Sequence, residues 1–211
     1  MKKIIILTLA NLLLLLVSSH RLLADDYDPY PDNNRTLEFA VNGGYSIITH
    51  EKAIFWDNGF NFGLGFNYNL SEDYLIGLTA NYLAYYPRPE ISQIDREYRY
   101  DIYPLILNFQ NKLGEMNELE IYAGIGLAYI YGEYIVDDIQ YTTNQLRYRL
   151  RNKYATNGFG IIPNIKARSP FGQSLAVDIS LDYNIIFMES RNGAELSLDH
   201  INAKLALVYI F

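Results

Sequence analysis

Few side chains in this chain could carry chemistry. Beyond the first 24 residues there are two histidines, His50 and His200, and no cysteine. A zinc site built on cysteine is therefore excluded. His200 follows Glu195, Ser197 and Asp199, residue types that would suffice for a nucleophile, a base and an orienting carboxylate. Their spacing argues against a triad, and His200 reads as a strand-end histidine that forms ordinary hydrogen bonds. His50 sits beside Glu51 and reads as solvated. The two histidines are too far apart in sequence to suggest a metal site, so no catalytic residue, metal or cofactor is expected. Charge offers more. Arg147, Arg149, Arg151 and Lys153 fall on one face of an extended hairpin, with Leu146, Tyr148 and Leu150 on the other. Arginine recognises phosphate well, so this row is a candidate surface contact for lipid phosphates or acidic molecules. The competing reading is a solvated hairpin whose charge is balanced by Asp137 and Asp138.

The elements that must position these groups are short and alternating. The N-terminus has Lys2 and Lys3 ahead of an apolar run from Ile4 to Val17. That run is too short for a membrane helix, which needs about 20 residues, and it suits a secretory signal peptide over residues 1–24. Cleavage after Ser19 and after Ala24 both fit, and Ala24 precedes the more plausible mature start. Residues 25–35, acidic and containing two prolines, read as a mobile leader. Losing Lys2, Lys3 and Arg21 removes three positive charges, so the formal charge of −7 becomes −10. A net charge this acidic argues against nucleic acid as a partner.

Residues 36–211 form a single domain of eight runs with a period of two, the signature of strands. The second run is the cleanest: Phe60, Phe62, Leu64, Phe66, Tyr68 and Leu70 alternate with Asn61, Gly63, Gly65, Asn67 and Asn69. A polar face of Asn and Gly alone is unlike a water-facing strand. It fits the crowded interior of a small barrel, where only side chains fill the space. The apolar face is large and continuous, with Tyr and Phe near the run ends. The charged residues Glu38, Glu120, Lys166, Asp178, Asp182 and Lys204 all fall on the polar face. They are expected to form a lumen network of ion pairs, because buried charges must be paired. Pro104 and Pro163 should bring a bulge or register slip in the fourth and sixth runs.

Connections alternate in length. Ser71–Asp73, Asn111–Asn117 and Arg168–Gln173 are short; Thr49–Asn58, Pro87–Glu97, Gly132–Tyr154 and Glu189–Ser197 are long. Glu51–Trp56 gives the first long connection an apolar tip, read as a contact patch or as resting on a membrane surface. The last run ends Leu207, Val208, Tyr209, Ile210, Phe211. An alternating final strand that stops on Phe resembles the closing strand of bacterial outer-membrane β-barrels. The whole pattern resembles the small OmpA-type, OmpX-type and OmpW-type barrels. The resemblance implies an all-β, eight-stranded antiparallel up-and-down transmembrane barrel with short periplasmic turns and longer extracellular loops. It also implies an outer-membrane location with both termini in the periplasm. The implied partners are outer-membrane lipid, lipopolysaccharide and the barrel-assembly machinery, which would read Phe211, Tyr209 and Leu207. The role expected is structural or one of surface interaction, without catalysis. The alternatives are a lipid A-modifying enzyme, a class that uses Ser and His, and a narrow solute channel. One geometric expectation is sharp: of two allowed registers between the last two strands, the one setting Asp182 directly opposite Lys204 is expected.

Overall fold

A computed structural model describes residues 36–49, 56–88, 96–116, 119–141, 147–171, 174–188 and 199–211, with backbone alone at 96–97, 137–141 and 147–151. The signal segment, the leader, His50, Glu195 and Ser197 lie outside the described residues. Within the compact unit Asn34–Phe211 there are eight strands: β1 (Leu37–Ile48), β2 (Gly59–Asn69), β3 (Tyr74–Tyr85), β4 (Arg96–Met116), β5 (Leu119–Tyr141), β6 (Arg147–Phe171), β7 (Leu175–Met188) and β8 (His200–Ile210). Each pairs antiparallel with the next, and β8 returns to β1, so the sheet closes. The last amide takes part: Phe211 N donates to Leu37 O at 2.9 Å. Closure leaves no open strand edge along the wall, the condition for a sheet surrounded by lipid.

The period of two decides which side chains face out. On β2 the odd residues point inward and the even ones outward, so Asn61 is buried while Phe60 is 73% exposed. The outward set includes Phe62, Leu64, Leu107, Phe109, Leu127, Ile179, Leu181, Leu205 and Leu207, all at least 45% exposed. An apolar exterior of this extent is the reverse of a water-soluble barrel.

Inside, eight strands leave little room, and the sequence solves this by setting small residues opposite larger ones. Gly63 faces Asn42 on one side and Asn81 on the other. A Cβ at Gly63 would run into Asn81 Oδ1. Across β4 and β5, Asn108 lies over Gly126 in the same manner.

Three expectations about the elements are corrected. The stretches Gly132–Tyr154, Asn111–Asn117 and Arg168–Gln173 are mostly strand: β5 runs to Tyr141, β6 starts at Arg147 and ends at Phe171, and β4 reaches Met116. Here backbone ladder bonds hold the chain extended, and the side chains need no lipid-facing alternation. Neither proline slips the register. The β3–β4 ladder lapses between Ala80↔Leu105 and Leu83↔Ile102 and then resumes unshifted, and β6–β7 does the same around Pro163. Each proline forfeits a bond to one neighbour only, while pairing to β5 runs straight through Pro104↔Ile130 and Ile125↔Pro163. The one shift in β4 lies at Lys112/Gly114, beside the turn. Finally, Asp182 stands opposite Asn202, and Lys204 opposite Ser180. The strands adopt the other allowed register, two residues away.

Candidate functional site

One end of the barrel carries the three connections after β2, β4 and β6, the start of β1 and the end of β8; the other carries the connections after β1, β3, β5 and β7. We refer to these as the turn end and the loop end. The interior differs between them.

Toward the turn end the lumen holds buried ions. Arg168 on β6 reaches across the barrel to β1, with Nη1 donating to Glu38 Oε1 at 2.6 Å and Nη2 to Oε2 at 2.9 Å. The same guanidinium donates through Nε to Asp178 Oδ1 at 2.8 Å. Its planar fork suits two carboxylates at once, which an ammonium could not match. Glu38 also accepts from Asn67 and Asn69. Lys166 Nζ lies 3.5 Å from Asp178 and 4.6 Å above the Tyr122 ring. Lys204 is ion-paired with Asp182. Since Asp182 and Lys204 are not directly opposed, this pair is diagonal, a separation a long side chain spans. Three acids and three cations are thus gathered in a small volume, and their charges cancel. Lys166, Asp178, Asp182 and Lys204 border a cavity of about 70 Å³ that is also lined by Asn42, Asn108, Gln110 and Asn164.

Glu120, grouped with these charges from the sequence, stands opposite Arg168 across β5–β6 but takes its ion pair from Lys112. It accepts from Lys112 Nζ at 2.7 Å and Tyr122 OH at 2.9 Å at the turn-end rim, where Glu115 joins Lys112. Arg168, the centre of the network, was not anticipated, because it lies in a stretch read as a turn. The signal available was its spacing: Arg168 is two residues beyond Lys166, on the same face.

Toward the loop end the lumen is mainly apolar, with Ser46 and His200 among its buried polar residues. Leu83, Tyr85, Tyr100, Ile102, Ile106, Ile130, Ile162 and Met188 pack into one buried cluster. Trp56 closes over it, its ring 5.9 Å from Tyr100 and 5.8 Å from Tyr134. A bridge to Pro87 and a bond from Asp57 N to Tyr86 O fasten that segment down. Trp56 is therefore part of the lumen's cap and not a free tip, because the apolar stack beneath offers it burial. Between the two halves lie Asn42, Asn61, Asn81 and Asn202, each with a buried side-chain atom lacking a protein partner among the described residues.

His200 is the first residue of β8 and is buried, its ring 5.8 Å from that of Tyr85, which is itself hydrogen-bonded to Ser46. Asp199 is engaged with the Ile186 amide through Oδ1 at 3.0 Å. No group of three or more metal-ligating side chains occurs among the described residues. In the basic row, the backbone pairs Arg147 with Tyr141, Arg149 with Ile139 and Arg151 with Asp137. The side chains of those three arginines lie outside the described residues. Lys153 is described, and its Nζ is 3.3 Å from Glu133 Oε2.

No protein-family profile matches the chain, and no curated protein is similar to it in sequence. Solved structures are similar. Neisserial surface protein A superposes with a TM-score of 0.55 at 11% identity, over 83% of this chain and 97% of that one. A major outer membrane protein from Thermus thermophilus gives 0.52 at 11% identity, over 83% and 99%. Ail, the attachment invasion locus protein of Yersinia pestis, gives 0.47 at 9% identity, over 84% and 99%. At such identities the likeness is one of fold. This chain has the fold of the small eight-stranded outer-membrane β-barrels.

Proposed function

We propose that the protein is an integral outer-membrane barrel with a structural or surface-interaction role. Its turn end and termini would face the periplasm, and its β4–β6 extension would stand outside the cell. The observation that carries this reading is the inversion of the wall: a closed ladder with an apolar exterior around a lumen holding the buried Glu38–Arg168–Asp178 ions. The buried stack under Trp56 supports a lumen closed to solutes rather than a channel. The burial of His200 behind Tyr85 supports a role without catalysis, since a substrate would have no approach to it. Outer-membrane lipid and lipopolysaccharide are the proposed surroundings of the wall. The basic row from Arg147 to Lys153 is the proposed outward contact for acidic groups. Phe211, Tyr209 and Leu207 are proposed as the signal read by the assembly machinery, so deleting Phe211 should lower the yield of heat-modifiable, folded protein in membranes.

Topology is tested with protease-site tags on intact cells. A tag between residues 142 and 146 should be cleaved, and one at Ser71–Asp73 should not. Cleavage at Ser71–Asp73 with intact membranes would invert the orientation.

A further inference from the structure

The outer wall is apolar over most of its height, but near the loop end it carries charge. On β4 and β5 the outward residues climb in register from Leu105 beside Tyr129, through Tyr103 beside Tyr131, to Asp101 opposite Glu133. One row higher, Arg99 and Lys153 flank Ile135 from the two neighbouring strands. The Tyr103 ring centre is 5.3 Å from that of Tyr82 and 6.0 Å from that of Tyr131, so three tyrosines form a band below the acids. Two of the hydroxyls point up into those acids. Tyr82 OH donates to Asp101 Oδ1 at 3.1 Å, and Tyr131 OH donates to Glu133 Oε1 at 3.0 Å. From above, Arg99 donates through Nε and Nη2 to Asp101 Oδ2 at 3.1 and 2.7 Å, and Lys153 Nζ to Glu133 Oε2 at 3.3 Å.

The patch is neutral in sum but layered in depth. The acid side chains are 1% and 7% exposed, the Arg99 and Lys153 side chains 35% and 44%. Negative charge therefore lies beneath, and positive charge faces outward. Arg99 Nη1 has no partner among the described residues, and Lys153 has donors beyond the one it gives to Glu133. The buried acids hold both cations at fixed positions two strands apart, roughly 10 Å by strand spacing. Directly below the tyrosine band, past the half-buried Leu105, the wall becomes the exposed strip Leu107, Leu127, Tyr129 and Phe159. Cations above a tyrosine band above an apolar strip match, in order, an anionic headgroup, the interfacial layer and acyl chains.

We infer that this patch on β4–β6 binds the phosphorylated headgroup of an outer-leaflet lipid. Arg99 and Lys153 would donate to phosphate oxygens, and the acyl chains would lie on the strip below. The inference rests on the membrane reading proposed above and adds a site and a ligand chemistry to it. The acids orient the cations and would not touch the lipid.

The test is native mass spectrometry of the full-length barrel in phosphatidylcholine nanodiscs. The nanodiscs are doped with a glycolipid carrying two phosphomonoesters, or with the same glycolipid after phosphatase treatment. The test variant is Arg99→Gln, Asp101→Asn, Glu133→Gln and Lys153→Gln combined, which removes acids and cations together so that no lone charge impairs folding. A charge-keeping control exchanges Arg99→Lys and Lys153→Arg. Wild type should retain the phosphorylated lipid about tenfold or more over the dephosphorylated one, the size expected for losing a charge-assisted contact. The combined variant should lose that preference, and the control should keep most of it. Inorganic phosphate at millimolar concentration should not displace the lipid. Equal retention of both lipids by wild type, or an unchanged preference in the combined variant, would overturn the site. Displacement by inorganic phosphate would overturn the lipid assignment in favour of a free anion. Wild type that inserts but shows no preference refutes the site alone, whereas failure to insert refutes the membrane reading along with it.

Discussion

The two halves of the lumen fill the same kind of space by opposite means. Toward the turn end, Arg168 satisfies Glu38 and Asp178 together, and a small polar cavity remains beside them. Toward the loop end, isoleucines and tyrosines pack without a comparable charge, under Trp56. The difference lies in how each half would fail. An ion network is costly when one member is removed, because its partners stay buried and charged. An apolar stack loses only transfer energy and gains a cavity. The halves meet at Asn42, Asn61, Asn81 and Asn202, each with a buried side-chain atom that has no partner among the described residues.

Four changes would break or sharpen this contrast, all read by urea unfolding in lipid. The largest effect is expected of Arg168→Met, which strands two carboxylates and should cost about 3–5 kcal/mol. In the apolar half, Ile102→Ala should cost about 2–4 kcal/mol, the range for a buried Ile truncated to Ala. If Ile102→Ala proves costlier than Arg168→Met, the contrast is reversed. Third, Lys204→Met should destabilise more than Lys204→Met with Asp182→Leu, with a coupling of about 1–3 kcal/mol. Additive effects would mean that the diagonal pair is not formed. The smallest effect is expected of Tyr85→Phe, which removes the hydroxyl bonded to Ser46 and keeps the ring, at about 0.5–1.5 kcal/mol.

Much of the fold was legible because a barrel wall between lipid and a crowded lumen forces a period of two. The Phe/Asn/Gly alternation of β2 states both faces outright. Legibility fails where that contrast fades. Leu83, Tyr85, Tyr100 and Ile102 point into the lumen yet are as apolar as the exterior, so β3 and β4 read as irregular runs. In the β5–β6 extension even the outward face buries side chains, as Ile135 and Glu133 show, and the stretch read as a loop. Arg168 was hidden by Ser169-Pro170, a turn-like pair that in the structure still faces Val177 and Ala176 on β7. The register between β7 and β8 depends on the chain between Met188 and Asp199, and face alternation alone allows two solutions. The outer-wall acids Asp101 and Glu133 gave no signal, since each acquires its meaning from residues on neighbouring strands.

The central claim, an apolar wall facing lipid around a buried polar interior, can be tested along a single strand. The chain has no cysteine, so single substitutions carry a spin label without background. Labels at Phe60, Phe62 and Leu64 should show high collision rates with oxygen dissolved in the bilayer and low rates with a water-soluble nickel chelate. Labels at Asn61 and Asn67 should collide weakly with oxygen. Loss of the alternation, or chelate access at Phe62 and Leu64 in lipid, would contradict the account.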